Sequence, residues 1–283
     1  MSKRNAEILL AIISMTWGMA YLLMKLGVET IGPFNLIALR FGIAFLITAA
    51  LFWKKLKEIN TKLIGYSALL GVLIFMVFTT VMFGLESTTA SEAGFLCSTT
   101  VVFIPLLRCA ITQKRPGRSV VISVVVSFTG IGLLTLGSTI NLNLGSFLCL
   151  LSALLYAIYM VVTHFLTQKE NPLLIGIFQL GFAAFLGLLF SLLFEQPSLP
   201  HTDQEWVAVL GLAFICSAFG FVMQPVAQKY TTPERAGILY SLEPVSAALL
   251  GFLFLQEVLP VRGYIGATMI LISCFIQDLT IDA

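Results

Sequence analysis

Residues 88–98 read TTASEAGFLCS, and residues 231–241 read TTPERAGILYS, a shift of 143 positions along the chain. Other landmarks recur at a similar shift, such as Ser14 with Ser152 and Tyr21 with Tyr159. A repeat of this length indicates that one structural unit occurs twice. We therefore divide the chain into a first repeat, residues 1–140, and a second repeat, residues 141–283.

The composition of the chain is typical of an integral membrane protein, with 58% hydrophobic and 11% charged residues. A helix needs about 20 apolar residues to cross a hydrocarbon core about 30 Å thick. The sequence predicts an all-α, polytopic membrane protein of ten transmembrane helices with short connectors. These spans are residues 7–28, 33–52, 64–85, 90–109, 119–137, 145–166, 173–194, 206–228, 236–256 and 261–277.

The distribution of lysine and arginine predicts the orientation, because cytoplasmic loops collect these residues. With the N-terminus inside, all of them except Lys25, Arg40 and Arg262 fall on the cytoplasmic side. Both termini are then cytoplasmic, and the five spans of the second repeat enter the inner or plasma membrane upside down relative to the first. Such inverted repeats are typical of secondary transporters, whose site lies near the membrane midplane.

The sequence carries no pattern that indicates catalysis, a metal or a cofactor. The cysteines Cys97, Cys109, Cys149, Cys216 and Cys274 lie in or at the edges of predicted spans, where structural disulfides are not expected. Neither histidine has a companion at metal-ligand spacing, and no phosphate-binding loop or catalytic triad is found. The net charge of +2 is small and lies on loops that face anionic lipids, so no nucleic-acid partner is indicated.

Arg40 is a charged residue at membrane depth. It lies about seven residues into the second predicted span, or roughly 10 Å below the outer surface at 1.5 Å per residue. A charge there costs about 2.5 kcal/mol or more, so such residues usually face a bundle interior or a wet cavity. Arg40 is therefore either a candidate for solute binding or a structural cation that binds backbone carbonyls or Glu29.

Glu243 lies about eight residues, or roughly 12 Å, into the ninth predicted span, and Pro244 follows it. Proline removes one helical hydrogen bond and displaces the carbonyl of Tyr240. A carboxyl group beside a broken turn can accept a coupling proton, bind a cation or hold an amino group. The alternative is a protonated glutamic acid that caps its own kinked helix. The equivalent position in the first repeat is Thr100.

Aromatic and amide side chains in the predicted spans are candidates for the lining of a cavity. Tyrosine and tryptophan usually gather at membrane interfaces, so at depth each needs a polar partner. A water-filled pocket or an interhelical hydrogen bond can supply one, and both alternatives stay open. The candidates are Trp17, Tyr21, Tyr156, Tyr159, Gln224 and Tyr240, and we expect Trp17, Tyr21, Tyr159 and Tyr240 to face one shared cavity.

Two stretches resemble a known family. One is Trp17-Gly18, and the other is LEPVSAALLG at residues 242–251, which continues through Gln256-Glu257 to Gly263 and Gly266. With the duplicated ten-span plan, they resemble the EamA domain of the drug/metabolite transporter superfamily, in two copies over essentially the whole chain. The first repeat departs from the family pattern, because residues 108–115 lack the acidic residue that Glu257 matches in the second.

The resemblance implies a cell-membrane transporter, typically an exporter of amino acids or other metabolites. It also implies a central cavity lined by spans one, three, four, six, eight and nine, with spans five and ten peripheral. We expect a secondary transporter that moves a small organic solute by alternating access, with that solute and the lipid bilayer as its partners. A membrane-embedded enzyme and a sensory membrane protein are the alternatives, and the solute, direction, coupling ion and oligomeric state stay open.

Overall fold

The computed structural model describes residues 1–28, 31–135, 143–255 and 260–276, and these parts contain helices and no β-strand. The α-helices are α1 Lys3–Trp17, α2 Ala20–Val28, α3 Pro33–Leu51, α4 Thr61–Ser87, α5 Ala90–Ser98, α6 Thr100–Thr112, α7 Arg118–Thr135, α8 Leu144–Thr167, α9 Pro172–Phe194, α10 Asp203–Gly211, α11 Val222–Gln228, α12 Pro233–Tyr240, α13 Leu242–Leu255 and α14 Val261–Ile276. A 3₁₀ turn covers Trp53–Glu58, and a π-helix covers Leu212–Phe221.

Seven helical stretches of the described residues are long and apolar enough to cross a membrane. They are Lys3–Met24, Pro33–Leu51, Thr61–Ser87, Glu92–Thr112, Leu144–Thr167, Pro172–Phe194 and Asp203–Gln228. The prediction of an all-helical, multi-pass membrane protein is thus confirmed. The fifth and tenth predicted spans contain the shorter apolar helices α7 and α14, and the ninth contains α12 and α13. Ten crossings and the inverted orientation stay predictions.

Threonine caps begin the two copies of the repeated motif in the same way. The hydroxyl of Thr89 accepts a hydrogen bond from the backbone N–H of Glu92 (3.1 Å) at the start of α5. The hydroxyl of Thr232 accepts one from the N–H of Arg235 (3.3 Å) at the start of α12. Each bond satisfies a donor that the first turn of a helix leaves free. The repeated sequence therefore encodes the same helix start twice.

Interruptions divide several of the membrane segments near their middle. Gly18 and Met19 separate α1 from α2, Thr99 separates α5 from α6, and Ser241 separates α12 from α13. The segment 203–228 changes to π-helix between α10 and α11. At membrane depth, such irregular backbone is tolerated where protein buries it or where it lines a cavity. Interrupted helices of this kind form the solute sites of many transporters.

Close backbone packing holds the interruption of the first segment against α13. A Cβ atom on Gly18 would lie 2.7 Å from the backbone nitrogen of Ala247, so only glycine fits there. The hydroxyl of Ser246 also donates a hydrogen bond to the carbonyl of Met15 (2.6 Å). The break after α1 is therefore fixed by contacts with the second repeat.

Helices α7 and α14 pack on each other through glycine. A Cβ atom on Gly130 would lie 2.7 Å from the carbonyl oxygen of Gly266, so the two backbones are in direct contact. Neither helix contributes a residue to the central cavity described below. This agrees with the peripheral position expected for the fifth and tenth spans. Gln256 and Glu257, which belong to the motif of the second repeat, lie outside the described residues.

Candidate functional site

The interrupted helices surround a central cavity of about 90 Å³. One buried water needs about 10–15 Å³ on the same measure, so there is room for about six waters or for a small solute. The walls come from α1, α2, α4, α5, α6, α8, the π-helix, α12 and α13, which belong to the expected spans one, three, four, six, eight and nine. Arg40 of α3 adds the second predicted span to this wall.

Six of the eight candidate residues line this cavity: Trp17, Tyr21, Arg40, Tyr156, Tyr240 and Glu243. Tyr159 does not face it as expected, because its ring stacks behind that of Tyr156 at 5.5 Å and is fully buried. The hydroxyl of Tyr159 donates to the side-chain oxygen of Gln179 (3.1 Å). Gln224 is buried too, and its side-chain oxygen accepts a hydrogen bond from the hydroxyl of Tyr156 (3.4 Å). Both residues therefore support the cavity wall from behind.

Trp17 is held on the wall by contacts with the π-helix. Its indole N–H donates to the carbonyl of Cys216 (2.9 Å), and its ring stacks on Phe221 at 4.9 Å. A Cβ atom on Gly220 would collide with the indole nitrogen, so glycine makes room for this contact. The ring of Tyr240 lies 5.2 Å away on the side of the second repeat. The polar partner of the indole N–H is therefore an interhelical hydrogen bond and not water in a pocket.

Arg40 is 1% exposed and lies between aromatic rings. Its guanidinium carbon is 4.3 Å from the ring centroid of Phe78 and 4.7 Å from that of Phe41. The Nε–H donates to the hydroxyl of Ser217 (3.1 Å), while the buried Nη1 has no partner among the described residues. Backbone carbonyls do not bind this arginine in the described part of the chain, and Glu29, the other expected partner, lies outside it.

Glu243 is the second residue of α13 and faces the cavity at the interruption. Within the described residues it forms no hydrogen bond and no ion pair, so no capping bond is found for it there. Pro244 falls in the first turn of α13, where its missing N–H costs little. The carbonyl of Tyr240 accepts a hydrogen bond from the hydroxyl of Ser14 (3.1 Å) instead. The expected kink is thus an interruption of the helix at Ser241.

Three residues that line the cavity each carry a buried donor that has no protein partner in the described residues. These donors are Nη1 of Arg40, the hydroxyl of Tyr240 and the hydroxyl of Ser241. Buried polar groups without a partner are rare in folded proteins. All three belong to residues that line the same cavity as Glu243.

Equivalent positions of the two repeated motifs meet at this cavity. The pairs that line it are Cys97 with Tyr240, Ser98 with Ser241 and Thr100 with Glu243. The two interruptions, at Thr99 and Ser241, lie one position apart in the repeat. Both copies of the motif therefore build the same site, each contributing one wall.

Two ion pairs lie near the ends of helices α1, α6 and α12. Glu7 of α1 pairs with Arg235 of α12 at 3.3 Å, and Arg108 of α6 pairs with Glu234 of α12. Each pair joins a residue of the first repeat to a residue of the second. The sequence predicted that the two arginines lie on the cytoplasmic side. It did not predict their acidic partners, because those partners are far away along the chain.

The chain is similar to proteins of one family over nearly its whole length. The EamA-like transporter family model matches residues 4–136 and 143–277. An uncharacterized transporter of Archaeoglobus fulgidus is 28% identical over 276 residues, which are 98% of this chain and 86% of the relative. The uncharacterized transporter YetK of Bacillus subtilis is 25% identical over 89% of this chain and 80% of its own. A crystal structure of another protein, 18% identical, shares the fold with a TM-score of 0.81 over 98% of each chain.

Proposed function

Because the chain belongs to the EamA-like transporter family, we propose that it is a secondary transporter that exports small organic metabolites, such as amino acids, across the cell membrane. The observation that carries this proposal is the central cavity, which interrupted helices enclose and whose lining residues carry polar groups that have no partner in the described part of the chain. Transport follows alternating access, in which the two repeats rock around the midplane site and the solute leaves unchanged.

Alternating access needs contacts that close one side of the cavity and can open. The pairs Glu7–Arg235 and Arg108–Glu234 join residues 1–140 to residues 141–283 at the end assigned to the cytoplasm. Arg235 and Glu7 expose only 6% and 13% of their side chains, so this closure is largely protected from water. In the proposal, these pairs break when the cavity opens to the cytoplasm and form again when it faces outward.

Glu243 is the proposed coupling group. Its carboxyl group faces the cavity and has no partner in the described residues, so a proton or the amino group of a solute can reach it. Proton uptake in one orientation and release in the other would bias the two states and couple a proton gradient to solute movement.

The aromatic residues are proposed to contact the solute directly. Trp17, Tyr21, Tyr156 and Tyr240 line the cavity, and a stacked ring contributes about 0.5–1.5 kcal/mol per contact to a ring-bearing solute. Tyr159 acts indirectly by supporting Tyr156 through ring stacking.

Solute flux in liposomes that contain the purified protein tests the proposal. We expect saturable, counterflow-stimulated movement of a labelled amino acid from a mixed pool, with the labelled compound recovered unchanged. Chemical conversion of the solute would indicate an enzyme. Binding by the folded protein without flux would indicate a sensor, and either result would contradict the proposal.

A further inference from the structure

We propose that Arg40 is the binding site for the carboxylate group of the transported solute. This inference rests on the proposed transport function and names a residue that would select which solutes enter the cavity. It is carried by the surroundings of one buried cation, by its terminal nitrogens, which donate to no described residue, and by the acidic group that lines the same cavity.

The guanidinium of Arg40 is held rigidly but is not neutralised. Ser217 accepts from Nε at 3.1 Å, and the rings of Phe41 and Phe78 lie within 5 Å of the guanidinium carbon. A hydroxyl and two rings orient the group, yet none carries a negative charge. No described residue forms an ion pair with it.

A purely structural role explains this arrangement poorly. Buried charges are normally paired, because the interior of a membrane protein solvates an isolated cation badly. A buried arginine that lacks a carboxylate of its own and lines a cavity is therefore suited to an anion that comes and goes.

The free donors of Arg40 fit a carboxylate. Nε is occupied by Ser217, whereas neither terminal nitrogen donates to a described residue, and the Arg40 side chain belongs to the lining of the cavity. The planar guanidinium presents parallel N–H groups that match the two oxygens of a carboxylate. Because Ser217 and the rings fix the plane of the group, little further ordering is needed when the anion binds.

Glu243 lines the same cavity but does not neutralise Arg40 directly, since no ion pair joins them within the described residues. A solute with a carboxylate at Arg40 can still place an amino group at Glu243, because both residues line the one cavity. The cavity thus offers a cation and an acid to opposite charges of one small molecule.

Propionate and propionamide form a matched pair of probes, because they have nearly the same size and shape and differ in charge. We would measure the melting temperature of the purified full-length protein against the concentration of each probe at constant ionic strength. Propionate should stabilise the native protein by binding it, and propionamide should not. Equal effects of the two probes, or no effect of propionate, would overturn the proposal.

Substitutions assign that effect to Arg40. In Arg40→Gln, propionate binding should weaken about 10- to 100-fold, which is the loss expected for a charge-assisted hydrogen bond. The control is Arg262→Gln, which removes an arginine that is exposed on α14, and it should bind propionate as the native protein does. Should Arg40→Gln not fold, Arg40→Lys keeps the charge without the fork, and unchanged binding by it would overturn the proposal.

Flux separates this inference from the proposed function. Saturable amino-acid flux that Arg40→Gln or Arg40→Lys leaves unchanged would remove the carboxylate site and leave the transporter in place. Propionate binding at Arg40 in a protein that moves no solute would support the carboxylate site and contradict the proposed transport function.

Discussion

The segments 88–112 and 231–255 have the same order of cap, helix, interruption and helix, but they place different side chains at the cavity. Each begins at a threonine cap, runs about two turns, and is interrupted before a second helix begins, at Thr99 in one copy and Ser241 in the other. After the interruption, Thr100 lines the cavity in the first copy and Glu243 in the second. The shared sequence sets the backbone, while the position after the break sets the chemistry.

Hydrogen bonding makes this difference concrete. The hydroxyl of Thr100 donates to the carbonyls of Cys97 (2.7 Å) and Ala153 (3.0 Å), so its polar group is used within the protein. Glu243 has no such partner among the described residues and leaves its carboxyl group to the cavity. One copy of the motif therefore acts as scaffold, and the other presents the group that can bind or titrate.

The starts of the two segments differ as well. Glu234 and Arg235 begin α12 with ion pairs to the first repeat. At the equivalent place on α5, Glu92 accepts a hydrogen bond from the hydroxyl of Ser146 (2.9 Å) and forms no ion pair within the described residues. The start of α12 is thus joined to the first repeat by ion pairs, whereas the start of α5 is joined to α8 by a hydrogen bond to a carboxylate.

If the repeats are inverted, Thr61 at the start of α4 and its equivalent Gln204 at the start of α10 face opposite sides of the membrane. Both side chains are exposed, so a cysteine at either one can react. In a variant without native cysteines, an impermeant thiol reagent added to whole cells should label Gln204→Cys and not Thr61→Cys. The effect is all or none. Labelling of both positions from one side would show that the copies are parallel.

Glu243→Gln tests whether the second copy carries the coupling group. Glutamine imitates the protonated carboxyl with little change in shape, so we expect solute exchange to persist while the pH-dependent part of net transport falls to background. The measurement is flux in liposomes with and without an imposed pH gradient. Thr100→Ser, at the equivalent position of the first copy, keeps the hydroxyl and should leave the pH profile unchanged. An unchanged profile in Glu243→Gln would make that residue structural.

The helical fold and the existence of a shared site could be predicted from the sequence, because both depend on signals along the chain. Composition and hydropathy indicate membrane helices, and the repeat of residues 88–98 at 231–241 indicates where two copies meet. Depth in the span singled out Arg40 and Glu243, and both line the cavity. Predicting these two residues requires only the rise per residue of a helix and the free-energy cost of burying a charge.

The details that failed depend on contacts between distant parts of the chain. Pro244 suggested a kink, yet the interruption falls at Ser241, next to the carbonyl of Tyr240, which accepts a hydrogen bond from Ser14 of the first repeat. A π-helix has more residues per turn, so it rotates the faces of the helix that follows, and Gln224 turns away from the cavity. The hydrogen bond from Arg40 to Ser217 joins residues 177 positions apart, so no local sequence pattern predicts it.

Charge reversal at Arg108 tests the closed end. Arg108→Glu should break the pair with Glu234, which is worth about 1 kcal/mol for a partly exposed pair, and raise the population open to the cytoplasm about fivefold. The readout is the labelling rate of Cys97 on the cavity wall, in inside-out vesicles and with the other cysteines replaced. The double variant Arg108→Glu/Glu234→Arg should restore the native rate. Equal rates in all three proteins would mean that the pair does not close the cavity.

Removal of the threonine caps should have the smallest effect of the four changes, and the effect should be similar in the two copies. Thr89 and Thr232 are both exposed, and their hydroxyls accept hydrogen bonds of 3.1 and 3.3 Å from the third residue of the following helix. Removing such a cap costs about 1 kcal/mol, because one N–H of the first turn loses its partner. Thr89→Ala and Thr232→Ala should therefore lower the free energy of unfolding by similar amounts, measured by denaturation of the purified protein in detergent. Thr→Ser variants at both positions keep the acceptor and should be near native. A large loss in only one alanine variant would mean that the copies share the sequence of the cap without sharing its contribution to stability.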